Sequence, residues 1–461
     1  MPNNRKVNFV GVNISLFLVK ETDFVGSLTL TNKIFNLKSL IVVDELGHLK
    51  GIITDGDLKA YRDMHLTEPV YVHEAMNSNP FFVRNSNKLL TEDVLNFEAS
   101  RGVVPVVNDE NKVVDAAYVG ELPAPKSETI SEVYVGLAPL RISFGGGGTD
   151  TSYWFKNNSG KVVNAAIAKY ARVFIKKRSD KTVTITDYTG TRSTTIDKLS
   201  ASQSDIIIAG LKKFNLKLGV EVTIVCDAPN GSGLGGSSSV CTALIKALCL
   251  MFDINLTNKE VSNLAYSIER IDAQISGGWQ DQIAASYGGF LTTNFSALEI
   301  STVKMDIDNR VYNELISCLF LIRAGTTRDG SSLHKDFERS VENSDFQHLM
   351  KQIMMMGITA EKMFLAGNIQ KLPNLFNKSW ELKKLMSKKI SNPNLDKFAA
   401  QLGKWGSSGT KLLGAGGGGY FLAWVNLPDQ HNFLEKLSDN QIEFERIIFD
   451  HRGAVSWKIK L

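Results

Sequence analysis

The segment with the clearest capacity for chemistry is Asp227–Ser239, which contains Pro229, Gly231, Gly233, Leu234, Gly235, Gly236 and three consecutive serines, Ser237, Ser238 and Ser239. It follows a strand-like run, Val222–Cys226, and precedes an apolar helical pattern at Val240, Ala243, Leu244, Ala247 and Leu248. Glycines let a backbone turn tightly and bring its N–H groups close to a phosphate. The helix that follows aims its unpaired N–H groups and its positive dipole end at the same place. The three hydroxyls can cap that helix or reach a metal ion. The segment also reads as an ordinary glycine turn followed by a serine helix cap. No lysine follows the glycines, so this is not a Walker A loop, and it is not GxGxxG either.

Further glycine clusters stand at Gly145–Gly148, Gly277–Gly278 and Gly414–Gly419. Between them lie strands such as Val220–Cys226 and helical segments such as Val240–Met251. That mixture predicts an α+β domain from about Tyr134 onward, without the regular βαβ alternation of a doubly wound sheet. A chain of 461 residues exceeds one ordinary hydrophobic core, so two or three domains are expected. Hydrophobic content of 43% with 22% charged residues is that of a globular protein. The net charge of +4, from 52 basic and 48 acidic residues, is too small a surplus to make nucleic acid or anionic membrane the main partner. Anionic small molecules stay open. Cys226, Cys241, Cys249 and Cys318 form no CxxC pair and have no clustered histidines, which argues against zinc. Cys241 and Cys249 lie in an apolar helical stretch and read as small buried hydrophobes. Met1–Lys6 is polar, and no signal-type apolar core or run long enough to span a bilayer follows. A reducing, cytoplasmic setting is the expectation.

Residues from about Val7 to Glu121 carry one pattern twice: an amphipathic stretch, an apolar strand, a turn and a second strand. The first copy is Leu40–Asp44, a turn at Glu45–His48, then Leu49–Thr54. The second is Val103–Val107, a turn at Asn108–Asn111, then Lys112–Tyr118. Apolar runs bounded by Asp, Asn and Gly are paired-strand signals. The stretch after Glu121, with Pro123 and Pro125 among polar neighbours, reads as a linker. The expected organisation is a module at 1–121, a linker at 122–133 and a second domain at 134–461.

Three glycine-rich segments together resemble the signatures of the GHMP superfamily (galactokinase, homoserine kinase, mevalonate kinase, phosphomevalonate kinase). The first is Ala138–Asp150, the second Pro229–Ser238 and the third Lys411–Phe421. Within that superfamily the sequence is most similar to D-glycero-D-manno-heptose 7-phosphate kinases. The likeness rests on Ala138–Asp150, Gly235–Gly236 before the serines, Ile268–Asp272 with Gly277–Gln282, and Val455–Ile459. It covers about residues 134–461 and implies a two-lobed GHMP kinase fold with the active site between the lobes. The implied activity is an ATP-dependent sugar 1-kinase making a heptose 1,7-bisphosphate for GDP-heptose and surface-glycan synthesis. Another acceptor, such as L-fucose or galactose, or a nucleotide-sensing regulatory protein, are the alternatives. A binding-only domain needs no acceptor-side carboxylate, which disfavours the last.

The resemblance implies roles. ATP is held by Pro229, Gly231, Gly233, Leu234, Gly235, Gly236, Ser237, Ser238 and Ser239. Ser237 and Glu269 hold Mg2+, a hard cation that prefers oxygen, which leaves Ser238 and Ser239 as helix caps. Glu269 follows Val261, Leu264, Ala265 and Ile268 at helical spacing, at the edge of a buried face, where a carboxylate needs a partner. That partner is a metal or a base such as Arg270. Asp281, in what reads as a polar loop, contacts the acceptor hydroxyl, and Arg141 sits near the transferring phosphate. Gly147, Gly148, Thr149, Asp150, Gly416 and Gly417 face the sugar. Arg328 is the first candidate for a 7-phosphate. The basic run Lys169, Arg172, Lys176, Lys177 and Arg178 is the second, or else a solvated strand edge.

In the first module, Gly51–Asp57 after Val42–His48 resembles the CBS motif, a regulatory repeat that forms pairs. The resemblance implies that Thr54 and Asp57 hold the phosphate and ribose of an adenine nucleotide. In the second copy Tyr118 and Glu121 stand at the matching positions, so at most one nucleotide site is intact. A purely dimerising module is the other reading, and a homodimer is expected.

Overall fold

The computed structural model describes residues 7–9, 14, 17–22, 39–54, 56–57, 71–85, 103–119, 132–199, 205–216, 218–325 and 331–460. The chain divides into two compact units, one of residues 1–129 with 211–217 and 251–256, the other of the remaining residues.

The first unit holds β1 (Val7–Phe9), β2 (Leu18–Lys20), β3 (Ser39–Val43), β4 (Leu49–Thr54), α1 (Val72–Ala75), β5 (Val83–Arg84), β6 (Val103–Val107) and β7 (Val113–Val119). Its internal repeat is physical. β2 runs parallel to β3, which turns back into β4; β5 runs parallel to β6, which turns back into β7. Both hairpins carry a register shift at the same place, Val42/Val43 and Val106/Val107. Both turns are built on one side chain: Asp44 Oδ1 accepts from Leu46 N and His48 N, and Asn108 Oδ1 accepts from Glu110 N and Lys112 N. Asx side chains that mimic a backbone turn explain why these two residue types stand there. The copies lie 64 positions apart, and Val103 N donates to Ser39 Oγ at the equivalent start of β3. The turns also meet, Leu49 N donating to Asn111 O and Val113 N to Gly47 O. Most of the expected linker lies outside the described residues; its last two positions, Glu132 and Val133, already belong to a strand.

The second unit begins with β8 (Glu132–Gly145), α2 (Ser152–Phe155), β9 (Gly160–Lys177), β10 (Thr182–Asp187), β11 (Gly190–Thr195), α3 (Ile206–Lys213), β12 (Val220–Cys226), α4 (Gly236–Met251) and α5 (Asn258–Tyr266). There follow α6 (Gln280–Tyr287), β13 (Phe290–Phe295), β14 (Ile300–Met305), α7 (Asn309–Cys318), β15 (Leu319–Arg323), α8 (Ser331–Arg339), α9 (Ser344–Leu365), α10 (Leu372–Met386) and α11 (Pro393–Trp405). The last elements are β16 (Ser407–Leu412), β17 (Tyr420–Val425), α12 (Gln430–Asp439), β18 (Phe444–Arg446) and β19 (Val455–Lys460). The large sheet is centred on β9, which pairs with β8, β12 and β13. Its pairings are antiparallel except β10 with β12, consistent with an α+β architecture. The basic run, one reading of which was a strand edge, therefore lies on the central strand and the residue after it, and three of its charges are matched: Lys169 with Glu445, Arg172 with Asp227, and Arg178 with Asp180 and Glu221.

A second sheet, in the order β16-β17-β15-β18, is buried on both faces. Alternate residues of a strand face opposite sides. Leu319, Leu321, Leu422 and Trp424 enter one core, whereas Phe320, Ile322, Phe421 and Ala423 enter the other. The same alternation positions the first glycine motif. Leu140, Ile142 and Phe144 of β8 lie in the core, so Arg141 and Ser143 project the other way. Phe290 is 1% exposed and its ring meets those of Phe144, Phe364 and Phe449, joining β13, β8 and α9. Phe290→Ala is expected to cost about 3–5 kcal/mol and to lower the thermal midpoint by several degrees, measured by circular dichroism. A midpoint unchanged from the wild type would show that this cluster is not the keystone of the core.

Candidate active site

A cleft of about 1280 Å³ is lined by all three glycine motifs, including Arg141, Gly147, Gly148, Asp150, Pro229, Gly231, Gly233, Gly235, Gly236, Ser237, Ser238, Glu269, Asp281 and Gly416. That exceeds the volume of roughly 300–1,000 Å³ usual for one small ligand and leaves room for two. Leu234, Ser239, Thr149 and Gly417, expected among the ligand-facing residues, do not line it. Leu234 is wholly buried. The Thr149 hydroxyl donates to Gly146 O at 2.8 Å, and Gly417 N donates to Ile390 O at 2.8 Å. Arg328 lies outside the described residues, and the basic run of β9 is not part of the cleft wall.

α4 starts at Gly236, four residues before the apolar pattern begins, because the serines themselves are helical. They are not caps, which corrects the sequence reading. Ser237 Oγ donates to Glu269 Oε1 and Ser238 Oγ to Glu269 Oε2, both at 2.6 Å. Ser239 Oγ donates to Pro139 O at 2.8 Å and to Gly235 O at 3.1 Å, tying the loop to β8. Gly233 has φ +77°, and a methyl there would meet Leu413 O at 2.4 Å. Only glycine combines that left-handed conformation with so close an approach. The third motif thus packs directly on the second.

Glu269 is 1% exposed and lies on a π-helical turn, Ser267–Asp272, that continues α5. α5 starts at a capping box in which Thr257 and Glu260 bond one another's backbone. The widened turn shifts Glu269 off the simple four-residue spacing from Ala265; single π turns recur at functional sites. Gln282 Nε2 also donates to Glu269 Oε2, at 2.6 Å, and Arg270 Nη1 lies 3.2 Å from Oε1. Arg270 further donates to Ile275 O and Gly278 O, holding the loop that leads into α6. Of the two anticipated partners, the base Arg270 is in place, and Ser237 with Glu269 is a set of hard oxygen donors that fits a metal. Two protein oxygens completed by phosphate and water suit magnesium.

Asp281 is not in a loop but in the first turn of α6, where the helix dipole favours an anion. Its Oδ1 accepts from Arg141 Nε at 2.7 Å, and Arg141 Nη1 also donates to Gly233 O. A methyl built on Gly235 would lie 3.4 Å from Asp281 Oδ2 and 3.3 Å from Arg141 Cγ, so this ion pair abuts the phosphate loop. Asp150 is 1% exposed; it accepts from Gly148 N, Gln280 N and Gln280 Nε2 at 2.9–3.2 Å. Ser143 Oγ and Gln280 Oε1, also in the wall, are buried with no hydrogen-bond partner among the described residues.

Two lysines in the wall were not singled out from the sequence. Lys411 is 3% exposed, and its Nζ donates to Ser143 O at 2.9 Å and Phe144 O at 3.3 Å. Burial, with Lys383 and Arg141 nearby, holds its ammonium well below the ordinary lysine range. Lys383, in the last turn of α10, donates to Gly414 O at 2.8 Å. Burial and then Arg141 lower it to about 8, against the opposing pull of Asp150 and Asp281. Lys411 opens the third glycine motif, Lys411–Phe421, which is a signal the sequence did contain. Lys383 has none, since only the tertiary fold turns that face of α10 toward the cleft.

Residues 205–289 match the family model described as the GHMP kinases N terminal domain. The chain is 30% identical over 333 residues to a D-glycero-alpha-D-manno-heptose 7-phosphate kinase of Campylobacter jejuni, spanning 70% of this chain and 98% of that one. It is 24% identical over 335 residues to a bifunctional fucokinase/GDP-fucose pyrophosphorylase of Arabidopsis thaliana, spanning 68% of this chain but 32% of that protein. The crystal structure of a D-glycero-D-manno-heptose 1-phosphate kinase from Bacteroides thetaiotaomicron shares the fold at a TM-score of 0.59 and 24% identity, over 71% of this chain and all of that one. No described helix is long and apolar enough to cross a membrane. With a match along nearly the whole of a 30% identical relative and a cleft where all three glycine motifs meet, the chain belongs to the GHMP kinases, phosphotransferases that act on an alcohol group.

Proposed function

We propose that this kinase phosphorylates the anomeric hydroxyl of D-glycero-D-manno-heptose 7-phosphate, with ATP as donor. The observation that carries the substrate is the match to a heptose 7-phosphate kinase over 98% of that protein; the fucokinase match keeps an unphosphorylated sugar as the second reading. In the reaction the sugar oxygen forms a bond to the γ-phosphorus while the bond from that phosphorus to the bridging oxygen of ADP breaks. The hydroxyl proton leaves toward Asp281, whose Oδ2 faces the phosphate loop at Gly235. Arg141 keeps Asp281 in place and sets positive charge where charge develops on the phosphoryl oxygens. Asp150, fixed by Gln280 and Gly148, accepts sugar hydroxyls. Ser237 and Glu269 would hold Mg2+, which neutralises phosphate charge when bound.

A panel of sugars and sugar phosphates, assayed with ATP and Mg2+, tests the substrate. Turnover with heptose 7-phosphate is expected, and turnover only with an unphosphorylated sugar rejects the assignment. Asp281→Asn is expected to lower kcat by about 100-fold or more, the scale of a lost acid–base group. Near-normal turnover removes Asp281 from that role. Glu269→Gln places amide N–H groups against the hydroxyls of Ser237 and Ser238, the Gln282 amide and Arg270. It is expected to fold, to melt several degrees lower and to lose most turnover, since buried donors left unmatched cost about 1–3 kcal/mol each.

The amino-terminal unit we read as a CBS pair. The repeated strand order and the matched Asx turns support a paired module. At its one candidate nucleotide site, Thr54 N and Oγ1 donate to Asp57 Oδ2 at 2.9 and 2.6 Å, and Asp57 N donates back to Thr54 Oγ1. In this reading an adenine nucleotide engages the same two side chains. Calorimetry of the full chain with AMP is expected to give a second binding event that Thr54→Ala abolishes and Ser237→Ala leaves intact. Its absence with AMP, ATP and S-adenosylmethionine alike leaves dimerisation as the role of the module.

A further inference from the structure

The two lysines of the cleft are not equivalent. Lys411 also lines the cleft, but it is 3% exposed and gives two of its three N–H donors to backbone carbonyls of β8. Lys383 lines the cleft, and among the described residues its ammonium meets a single carbonyl, that of Gly414. An ammonium carries three N–H donors, so two remain for whatever enters. Its place is fixed by a short chain of contacts. A methyl on Gly414 would lie 2.5 Å from Gly233 Cα, the Gly233 carbonyl accepts from Arg141, and Arg141 holds Asp281. Lys383 is thereby anchored where the third motif touches the glycine–serine loop, close enough to Arg141 for that charge to lower its own ammonium.

We propose that Lys383 is a catalytic residue of the transfer step, a second cation that contacts the migrating phosphoryl group together with Arg141. The proposal rests on the reading of Gly231–Ser239 as the loop that holds the donor phosphates. A loose phosphoryl-transfer transition state spreads charge over three equatorial oxygens, and two fixed cations stabilise it better than one. Lys383 delivers its charge only while protonated. The charged groups facing it are Arg141 of β8, Asp281 of α6, Asp150 of the first motif and Lys411 of β16. With its ammonium lowered to about 8, activity of the free enzyme falls as pH rises through that value.

The test compares Lys383→Met and Lys383→Arg in the full chain, using whichever sugar of the panel the wild type phosphorylates. Failure of the heptose assignment is thus read separately, from the wild type alone. Lys383→Met is expected to lower kcat by about 100-fold or more, with KM for ATP and for the sugar within about threefold. Lys383→Arg is expected to recover most of that loss. Its kcat/KM profile should lack the alkaline fall near pH 8 that the wild type shows, because arginine stays charged. A kcat of Lys383→Met within about threefold of wild type overturns the proposal. So does a preserved kcat with KM for the sugar raised about tenfold, which would make Lys383 an acceptor contact. If Lys383→Met does not fold, an alkaline fall retained in Lys383→Arg overturns it equally.

Discussion

The arrangement of the kinase unit depends on how one buried carboxylate is satisfied. Glu269 is almost sealed from water, and a buried charge is tolerable only when paired and hydrogen-bonded. Its two oxygens take hydroxyls from Ser237 and Ser238 at the start of α4, an amide from Gln282 in α6, and the guanidinium of Arg270. Four groups from three segments must converge for that carboxylate to be tolerated. Once they do, the phosphate loop, the π-helical turn and the start of α6 are fixed together. Arg270 extends the same constraint to Gly278 and so to the chain entering α6.

From this anchor the geometry of the site follows in order. α6 starts where Gln280 can bond Asp150 and where Asp281 faces Arg141. Arg141 in turn projects from β8 because its neighbours Leu140 and Ile142 are committed to the core on the other face. The three glycine motifs, far apart in sequence, meet because each removes side-chain bulk where another backbone must come close. Gly233 against Leu413 is the tightest expression of that rule on the loop itself.

What could be read from the chain alone was what depends on local pattern. The strand Val220–Cys226 has the bounds its β-branched run suggests, and both hairpins of the first unit fall where apolar runs are broken by Asx turns. The three motifs and the residues Arg141, Asp150, Ser237, Glu269 and Asp281 were legible through resemblance, and the fold places all five on one cleft. Three features were not legible. A π turn leaves no periodicity that distinguishes it from the end of an α-helix. Ser238 and Ser239 were expected as caps because hydroxyls at a helix start usually serve the backbone, yet Glu269 takes the hydroxyl of Ser238 and backbone carbonyls take that of Ser239. And the basic run of β9 looked like an edge because a strand's rank within a sheet is set by its partners, not by its own residues.

The cluster of cations in the wall shows what this arrangement is for. Burial lowers both lysines, Arg141 lowers both further and Lys383 lowers Lys411, while Asp150 and Asp281 pull Lys383 the other way. In the absence of ligand such a wall costs stability, because like charges are held together away from bulk water. The cost has a function if an anion completes the set, since charges fixed before the reaction need no reorganisation during it. The carbonyls that hold the lysines, Ser143, Phe144 and Gly414, belong to the first and third motifs. Those motifs thus supply more than close backbone approach: they orient the field into which a phosphoryl group is drawn. Lys411, almost buried and doubly bonded, sets the background of that field. Lys383, with donors directed at the cleft, is the member of the trio able to follow the charge as it moves.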